Sequence, residues 1–293
     1  MHRASGKLLI SGEYAVLHGA LALAIPTKAG QLLSVAGESD FYLHWQAFDH
    51  RDQLWLDLKF NELLEPLDSS AEAKLLSTLF KKARALGGKL PSYQKLRSRL
   101  EFDRNWGLGS SSSLVALISQ LCDCPLMPLY RAAYQGSAYD VWTALLQKPL
   151  RYRLSPNDQP QYQFFEVPQT WRDTYFVYLG KKQDSQNEVA RVGQRPWSSA
   201  EIQAVNALSE EFLKVKSTAE LRQALDEHEE MLGNILGRQA VQEVLFSDFD
   251  GSVKSLGAWG GDFVWVVGGQ AVKRYFANKG YPVCLAFSEL ISV

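Results

Sequence analysis

The chain of 293 residues is 46% hydrophobic and 22% charged, and its 31 Lys and Arg against 32 Asp and Glu leave a formal net charge of −1. Such a length exceeds the usual single core and favours two domains, while near-neutrality excludes bulk electrostatic binding to nucleic acid or to anionic membrane. The apolar content excludes disorder, and the longest apolar runs, such as Phe263-Val264-Trp265-Val266-Val267, fall far short of the roughly 20 residues that a membrane helix needs. The opening residues from Met1 to Lys7 lack the long apolar core and small-residue cleavage site of a signal peptide. Three cysteines, Cys122, Cys124 and Cys284, cannot build a disulfide framework, so the expected setting is the cytoplasm. Cys122-Asp123-Cys124 has no His or Cys at ligand spacing and reads as small apolar side chains at a helix end.

In chain order, β-rich runs separated by Gly, Asp or Asn predict strands over 8–10, 20–25, 31–36, 41–47 and 54–58. Residues 71–86 read as a helix, because Leu75, Leu76, Leu79, Phe80, Ala83 and Leu86 recur at helical spacing and Gly87-Gly88 stops it. A strand over 96–102, a helix over 111–121, a longer helix over 129–146 and strands over 150–154 and 162–167 follow. A strand over 174–179 then precedes helical stretches over 199–215, 218–232 and 235–245. The tail reads as strand 253–256, a Gly-rich turn, strand 263–267, helix 271–278 and strand 282–287, the order of a split βαβ sandwich. Segregation of strands and helices predicts an α+β protein, with domains over 1–168 and 169–293 meeting near Pro168.

Four strings could carry chemistry. Gly107-Leu108-Gly109-Ser110-Ser111-Ser112-Ser113 lies between a strand and an amphipathic helix. Its glycines let backbone approach an oxygen-rich ligand, and the following helix N-terminus favours phosphate; helix capping by Ser110 or Ser111 is the plainer alternative. Gly257-Ala258-Trp259-Gly260-Gly261-Asp262 joins two apolar strands and is either a tight turn or a close backbone approach. Lys7 alternates with apolar neighbours ahead of Gly12-Glu13-Tyr14 and would by default be a surface lysine. Gly136-Ser137-Ala138-Tyr139-Asp140-Val141 breaks a helical region, where Asp is more often a cap than a catalyst. His50-Arg51-Asp52 copies the start of a protein-kinase catalytic loop, but Asp57 stands where that loop needs Asn, so it reads as a polar strand connection.

Taken together in this order, the strings resemble the GHMP kinase superfamily. Gly6-Lys7-Leu8-Leu9-Ile10-Ser11-Gly12-Glu13-Tyr14-Ala15-Val16-Leu17-His18-Gly19 is similar to its N-terminal motif. The run at 107–113 is similar to its GLGSS phosphate loop, and 255–262 to its C-terminal Gly-rich motif. Within the superfamily the phosphomevalonate kinases are most alike, through Tyr14, the 136–141 segment and Asp262 after the paired glycines; Lys181, Lys182 and Ser185 fall where the family has a substrate-proximal segment.

The resemblance implies an α+β fold of two domains, an N-terminal one like domain 2 of ribosomal protein S5 and a ferredoxin-like C-terminal one. It also implies an ATP-dependent kinase that uses Mg2+ and a small-molecule phosphate acceptor. No nucleic-acid or membrane partner is implied, and a homodimer is compatible with it. ATP would bind over Gly107, Leu108, Gly109, Ser110, Ser111 and Ser112, with Ser111 near the metal. Lys7 and Asp140 would be catalytic, and Glu13, Tyr14, Lys181, Lys182, Ser185, Gly257, Gly260, Gly261 and Asp262 would form substrate and turn contacts. The expected acceptor is phosphomevalonate; mevalonate kinase, diphosphomevalonate decarboxylase and a catalytically impaired nucleotide-binding relative are the alternatives. Two departures stand out: Trp259 replaces a glycine of the C-terminal motif, and nothing acidic lies between Asp123 and Asp140, where family members with a Glu ligand for Mg2+ carry it.

Overall fold

The computed structural model describes residues 1–180, 192, 195–259 and 261–292. Two compact units share the chain: Met1–Lys7, Ala29–Arg104 and Leu108–Gln147 form the first, and Leu8–Lys28, Asn105–Gly107 and Lys148–Val293 form the second. Strands β1 (His2–Ser11) and β2 (Ala22–Glu38) each contribute one segment to either unit. The separate strands expected over 20–25 and 31–36 are thus one strand of 17 residues. Gly30 does not break it; a Cβ there would stand 2.2 Å from the carbonyl oxygen of Ala4, so the glycine is a packing requirement.

In the first unit β3 (Leu43–Phe48) pairs antiparallel with β4 (Leu54–Phe60) and parallel with β5 (Gln94–Leu100), and β5 pairs antiparallel with β2 from Gln31 to Glu38. Leu33, Trp45, Leu58 and Phe60 on one sheet face meet Leu76, Leu79 and Phe80 of α1 (Ala71–Ala85) and Val115 and Ile118 of α2 (Ser110–Cys122) in one buried core. Ser70 Oγ accepts the Ala73 N–H at 3.2 Å to start α1, and Leu86 and left-handed Gly87 end it. Cys122 and Cys124 are buried around the left-handed C-cap Asp123 of α2, and burial pushes the Cys122 thiol up to about 12. The helix expected over 129–146 is instead two short helices, α3 (Leu126–Tyr130) and α4 (Tyr139–Leu146). Gly136 at φ 149° and Ala138 at φ 63° interrupt it, since neither conformation continues a right-handed helix.

In the second unit β6 (Leu150–Leu154) pairs with β2 at Ala22–Ala24 and with β7 (Pro160–Phe164), so Pro168, the expected boundary, lies inside this unit. The second sheet has the order β11-β8-β10-β9, from β8 (Tyr175–Tyr178), β9 (Gly251–Ser255), β10 (Phe263–Gly268) and β11 (Cys284–Ala286), all antiparallel. That is the split βαβ arrangement expected of the tail. Helix α5 (Ser199–Phe212) opens with a Ser198/Glu201 capping box. Helix α6 (Thr218–Leu236) runs on to left-handed Gly237, leaving only α7 (Val241–Leu245) of the third expected helical stretch. Helix α8 (Val272–Asn278) connects β10 to β11. Trp171 and Trp265 meet edge to face at 4.9 Å in the core, and both indole N–H groups are satisfied, by Phe212 O at 3.2 Å and Thr174 Oγ1 at 2.8 Å. Among the described residues no helix is long and apolar enough to cross a membrane.

Candidate functional site

Lys7 is half-buried within an otherwise buried stretch of β1, and its N–H donates to Leu108 O at 2.9 Å. This backbone link ties the strand to the loop that opens α2. Gly109 is the N-cap of α2 at φ 90°, where an ordinary side chain would be strained. A Cβ on Gly109 would also stand 2.5 Å from Ser112 Oγ and 3.1 Å from Lys7 Cε. Only glycine keeps that space open beside the lysine stem. No acidic residue lies in the first turn of this 13-residue helix, so its positive end and free N–H groups are disposed towards an anion.

The serines of the run divide by role. Ser113 is fully buried and donates to Gln31 Oε1 at 2.7 Å, and Gln31 in turn donates to Ser98 Oγ at 2.7 Å. Ser112 donates to Gly109 O at 2.8 Å and also lies within hydrogen-bond reach of Asp140. Ser111 is exposed and hydrogen-bonds to the Tyr134 phenol, a partner that the sequence reading missed. Burial raises the Tyr134 pKa, the charge of Asp140 adds to the rise, and Ser111 opposes it. Ser112 and Ser113 therefore shape the loop, and Ser111 is the hydroxyl that faces outward.

Asp140 sits in the first turn of α4, behind the left-handed, buried Ala138. That conformation costs an alanine about 1–2 kcal/mol and is retained because the surroundings impose it. Gly136 next to it would drive a Cβ to 2.9 Å from Tyr130 Oη, and its carbonyl accepts from Arg131 Nη1 at 2.8 Å. Burial raises the Asp140 pKa above the usual carboxylate range; the Lys7 charge, the N–H groups of Val141 and Asp140 and the Ser112 hydroxyl all pull against the rise. The first unit thus brings Lys7, Ser111, Ser112 and Asp140 together at one helix N-terminus.

The remaining motif residues lie in the second unit. Gly12 at φ 92° is required by packing, because its Cβ would stand 2.7 Å from both Ala22 Cα and Leu21 O. Glu13 is buried, with Oε1 2.6 Å from Lys254 Nζ, so it meets an internal lysine rather than solvent. Tyr14 is also buried, and its Oη accepts the Trp259 N–H at 2.8 Å. The Trp259 indole donates to Gln239 O at 3.2 Å and lies 3.6 Å from a Cβ position on Gly233, so its bulk lies against the end of α6. Gly257 takes φ 70° in open space, whereas a Cβ on Gly261 would stand 2.4 Å from Leu256 O.

Asp262 at the head of β10 rests its carboxylate on Gly107, the first glycine of the phosphate-loop-like run. The same stretch is pinned by Tyr178 Oη donating to Asn105 O at 2.9 Å and by Trp106 packed edge to face on Phe263 at 5.9 Å. Gly260, Lys181, Lys182 and Ser185 lie outside the described residues. His50-Arg51-Asp52 forms the polar turn between β3 and β4, where Asp49 Oδ1 accepts the Arg51 and Gln53 N–H groups and Asp52 pairs with Arg99 at 2.7 Å. Lys254, His228 and Glu229 also escaped the sequence reading; the one signal was a lysine inside the apolar-flanked strand β9.

Glycines that leave room beside a lysine, a helix N-terminus and a carboxylate that feels the charge of that lysine fit a polyphosphate. For a divalent cation the first unit offers the Asp140 carboxylate and the Ser111 hydroxyl, and among the described residues no group of three or more His, Cys, Asp or Glu could hold a metal. These donors suit a cation that keeps most of its bonds to phosphate oxygens and water.

No family model and no curated protein matches the sequence. Solved structures do match. Methanococcus jannaschii mevalonate kinase superposes with a TM-score of 0.72 at 15% identity, over 97% of this chain and 97% of that one. Streptococcus pneumoniae phosphomevalonate kinase, solved with phosphomevalonate and AMPPNP, gives 0.71 at 16% identity over 97% and 99%. Lactococcus lactis galactokinase, solved with galactose, gives 0.67 at 12% identity over 99% and 94%. The chain has the α+β fold of the GHMP kinases across almost its whole length.

Proposed function

We propose that the chain is an ATP-dependent small-molecule kinase of the GHMP superfamily that transfers the γ-phosphate to an isoprenoid-precursor acceptor, phosphomevalonate first and mevalonate second. The observation that carries this reading is Lys7 beside Asp140 at the glycine-capped N-terminus of α2. The GHMP fold and the motifs at 6–19, 107–113 and 255–262 support it.

The triphosphate would be received by the N–H groups at the start of α2, with Gly109 leaving room for it and Lys7 neutralising charge on the transferred group. Mg2+ would be held by phosphate oxygens with Asp140 and Ser111 as protein oxygens, and it would supply charge neutralisation at the phosphates. With a hydroxyl acceptor, the oxygen attacks the γ-phosphorus, the bond to ADP breaks and the hydroxyl proton goes to Asp140. With a phosphorylated acceptor the attacking oxygen is already an anion at neutral pH, so Asp140 orients it and no proton need move. Phosphoryl transfer asks mainly for positioning and cations, which is what these residues offer.

An ADP-release assay with phosphomevalonate, mevalonate, homoserine and galactose tests the reading. Turnover with phosphomevalonate is expected, and turnover with none of them removes the assignment. ATP-dependent release of CO2 from diphosphomevalonate would instead make the chain a decarboxylase. ATP binding without turnover, unaffected by Asp140→Ala, would make it a nucleotide-binding relative.

A further inference from the structure

Between α3 and α4 the first unit holds an aromatic side chain firmly in place for no purpose that the proposed chemistry has used. The chain leaves α3 in helical turns: the Arg131 N–H donates to Met127 O and the Tyr134 N–H to Tyr130 O, both at 2.9 Å. Tyr130 and Tyr134 therefore stand one turn apart, and their rings stack with centroids 5.7 Å apart and planes at 22°. Tyr130 is buried in the core, and Tyr134 packs half-buried against that core. The Arg131 guanidinium lies 5.2 Å over the Tyr130 ring, and its Nη1 donates to Gly136 O at 2.8 Å. Gly136 can have no side chain, because a Cβ there would stand 2.9 Å from Tyr130 Oη. Core packing on one side and the 136–138 backbone on the other thus fix the ring pair, and the Tyr134 phenol meets the exposed Ser111 hydroxyl at the start of α2.

We propose that Tyr134 is a positioning residue for Ser111: its phenol oxygen accepts the Ser111 hydroxyl proton and so turns the Ser111 lone pairs outward, towards a divalent cation carried by the nucleotide. This rests on the kinase reading. Ser112 and Ser113 already donate to Gly109 O and Gln31 Oε1, both inside the loop and the core, so Ser111 is the serine with a hydroxyl facing outward. An exposed serine hydroxyl rotates among staggered positions, and one that ligates a cation must direct its proton elsewhere. The Tyr134 oxygen is a fixed acceptor for that proton. Outer hydrogen bonds of this kind commonly orient metal ligands. No Asp or Glu occurs over residues 124–139, so this segment contributes a phenol and no carboxylate. The phenol is kept neutral at ordinary pH, since burial raises its pKa and the charge of Asp140 adds to the rise, against the Ser111 hydrogen bond. Tyr134 therefore orients Ser111 without adding a second negative charge beside Asp140.

Calorimetric binding of a non-hydrolysable ATP analogue to the full chain, once in excess Mg2+ and once in EDTA, tests this in the wild type, Tyr134→Phe, Ser111→Ala and the double variant. Phenylalanine keeps the ring on Tyr130 and removes only the oxygen, and thermal melts alongside verify the fold. Tyr134→Phe should weaken the analogue about tenfold in Mg2+ and less than about twofold in EDTA, the pattern for losing an outer hydrogen bond to a metal ligand. Ser111→Ala should lose at least as much in Mg2+, and adding Tyr134→Phe to it should cost nothing further, because both act through one hydroxyl. A loss of equal size in EDTA, or one that persists undiminished in the Ser111→Ala background, overturns the proposal and leaves Tyr134 a packing residue. Wild-type affinity that Mg2+ does not raise, or a rise that Tyr134→Phe leaves unchanged, also overturns it, while the kinase reading stands. A wild-type chain that binds the analogue under neither condition overturns the kinase reading and this inference with it.

Discussion

The Asp262 carboxylate lies against Gly107, with Oδ2 only 1.7 Å from the position that a Cβ on Gly107 would take. The last residue of one Gly-rich string therefore rests on the first residue of another far away in sequence. Gly107 also sits at φ 64°, where a side chain adds about 1 kcal/mol of strain. Gly107→Ala should weaken binding of an ATP analogue by roughly tenfold or more, equal to about 1.4 kcal/mol, with only a small fall in melting temperature. Calorimetric titration beside thermal melts checks this, and unchanged affinity would separate the contact from nucleotide binding.

Lys7→Met should lower kcat more than it weakens nucleotide affinity, because the lysine is assigned to the charge that develops during transfer. It should also change the pH profile. Burial raises the Asp140 pKa and Lys7 opposes the rise, so activity that needs ionised Asp140 increases with pH through an elevated pKa. Removing the ammonium lifts that pKa further, and the acid limb of kcat/KM should move to higher pH. An acid limb that stays in place would remove Lys7 from the environment of Asp140.

Asp140→Asn should cost activity about 100-fold or more if a hydroxyl acceptor is used, and less with a phosphorylated acceptor that needs no proton transfer. The same change should raise the melting temperature at neutral pH. A carboxyl whose folded pKa is above its ordinary 3.8 gives stability only while protonated, and this is lost as pH rises through the folded pKa. Melting curves of wild type and variant across a pH series would register the gain, and a variant less stable than the wild type at neutral pH would contradict it.

Gly12→Ala and Gly87→Ala separate two reasons for a motif glycine. Both take positive φ, but a Cβ on Gly12 meets Ala22 Cα and Leu21 O at 2.7 Å, whereas one on Gly87 meets nothing within 4 Å. Chemical denaturation should show a loss of about 1 kcal/mol for Gly87→Ala and about 3 kcal/mol or more for Gly12→Ala. Equal losses would mean that conformation alone selects glycine at position 12.

Tyr14→Phe removes the acceptor for the Trp259 N–H. A net loss of about 1 kcal/mol is expected, or about 2–4 °C in melting temperature for a chain of this size. Calorimetry would measure it, and no change would mean that water replaces the hydroxyl.

The helices over 71–86 and 199–215 were legible because each buries an apolar stripe, and their Ser70 and Ser198 caps stand in the sequence. The expected helix over 129–146 was not, because Ala138 adopts a left-handed conformation that nothing local requires. Lys7 stood out in the sequence only through its motif: alternation within a strand marks a face, and only folding brings its charge to bear on Asp140. Tyr134 carried no local signal of its contact with Ser111.

By itself, then, the sequence determined what depends on local chemistry: where apolar periodicity makes helices and strands, where glycines relax the backbone, and the ordered motifs that point to a nucleotide-handling α+β fold. Near-neutral composition, with 31 basic and 32 acidic residues, also determined that any charge-dependent function had to rest on a few local groups. Tertiary structure decided which groups those are. It buried Glu13 against Lys254, left Lys7 beside Asp140 and turned the Trp259 indole onto Gly233. The physical reason is that desolvation and Coulomb interaction depend on distances between residues far apart in the chain, and those distances exist only once the core has closed.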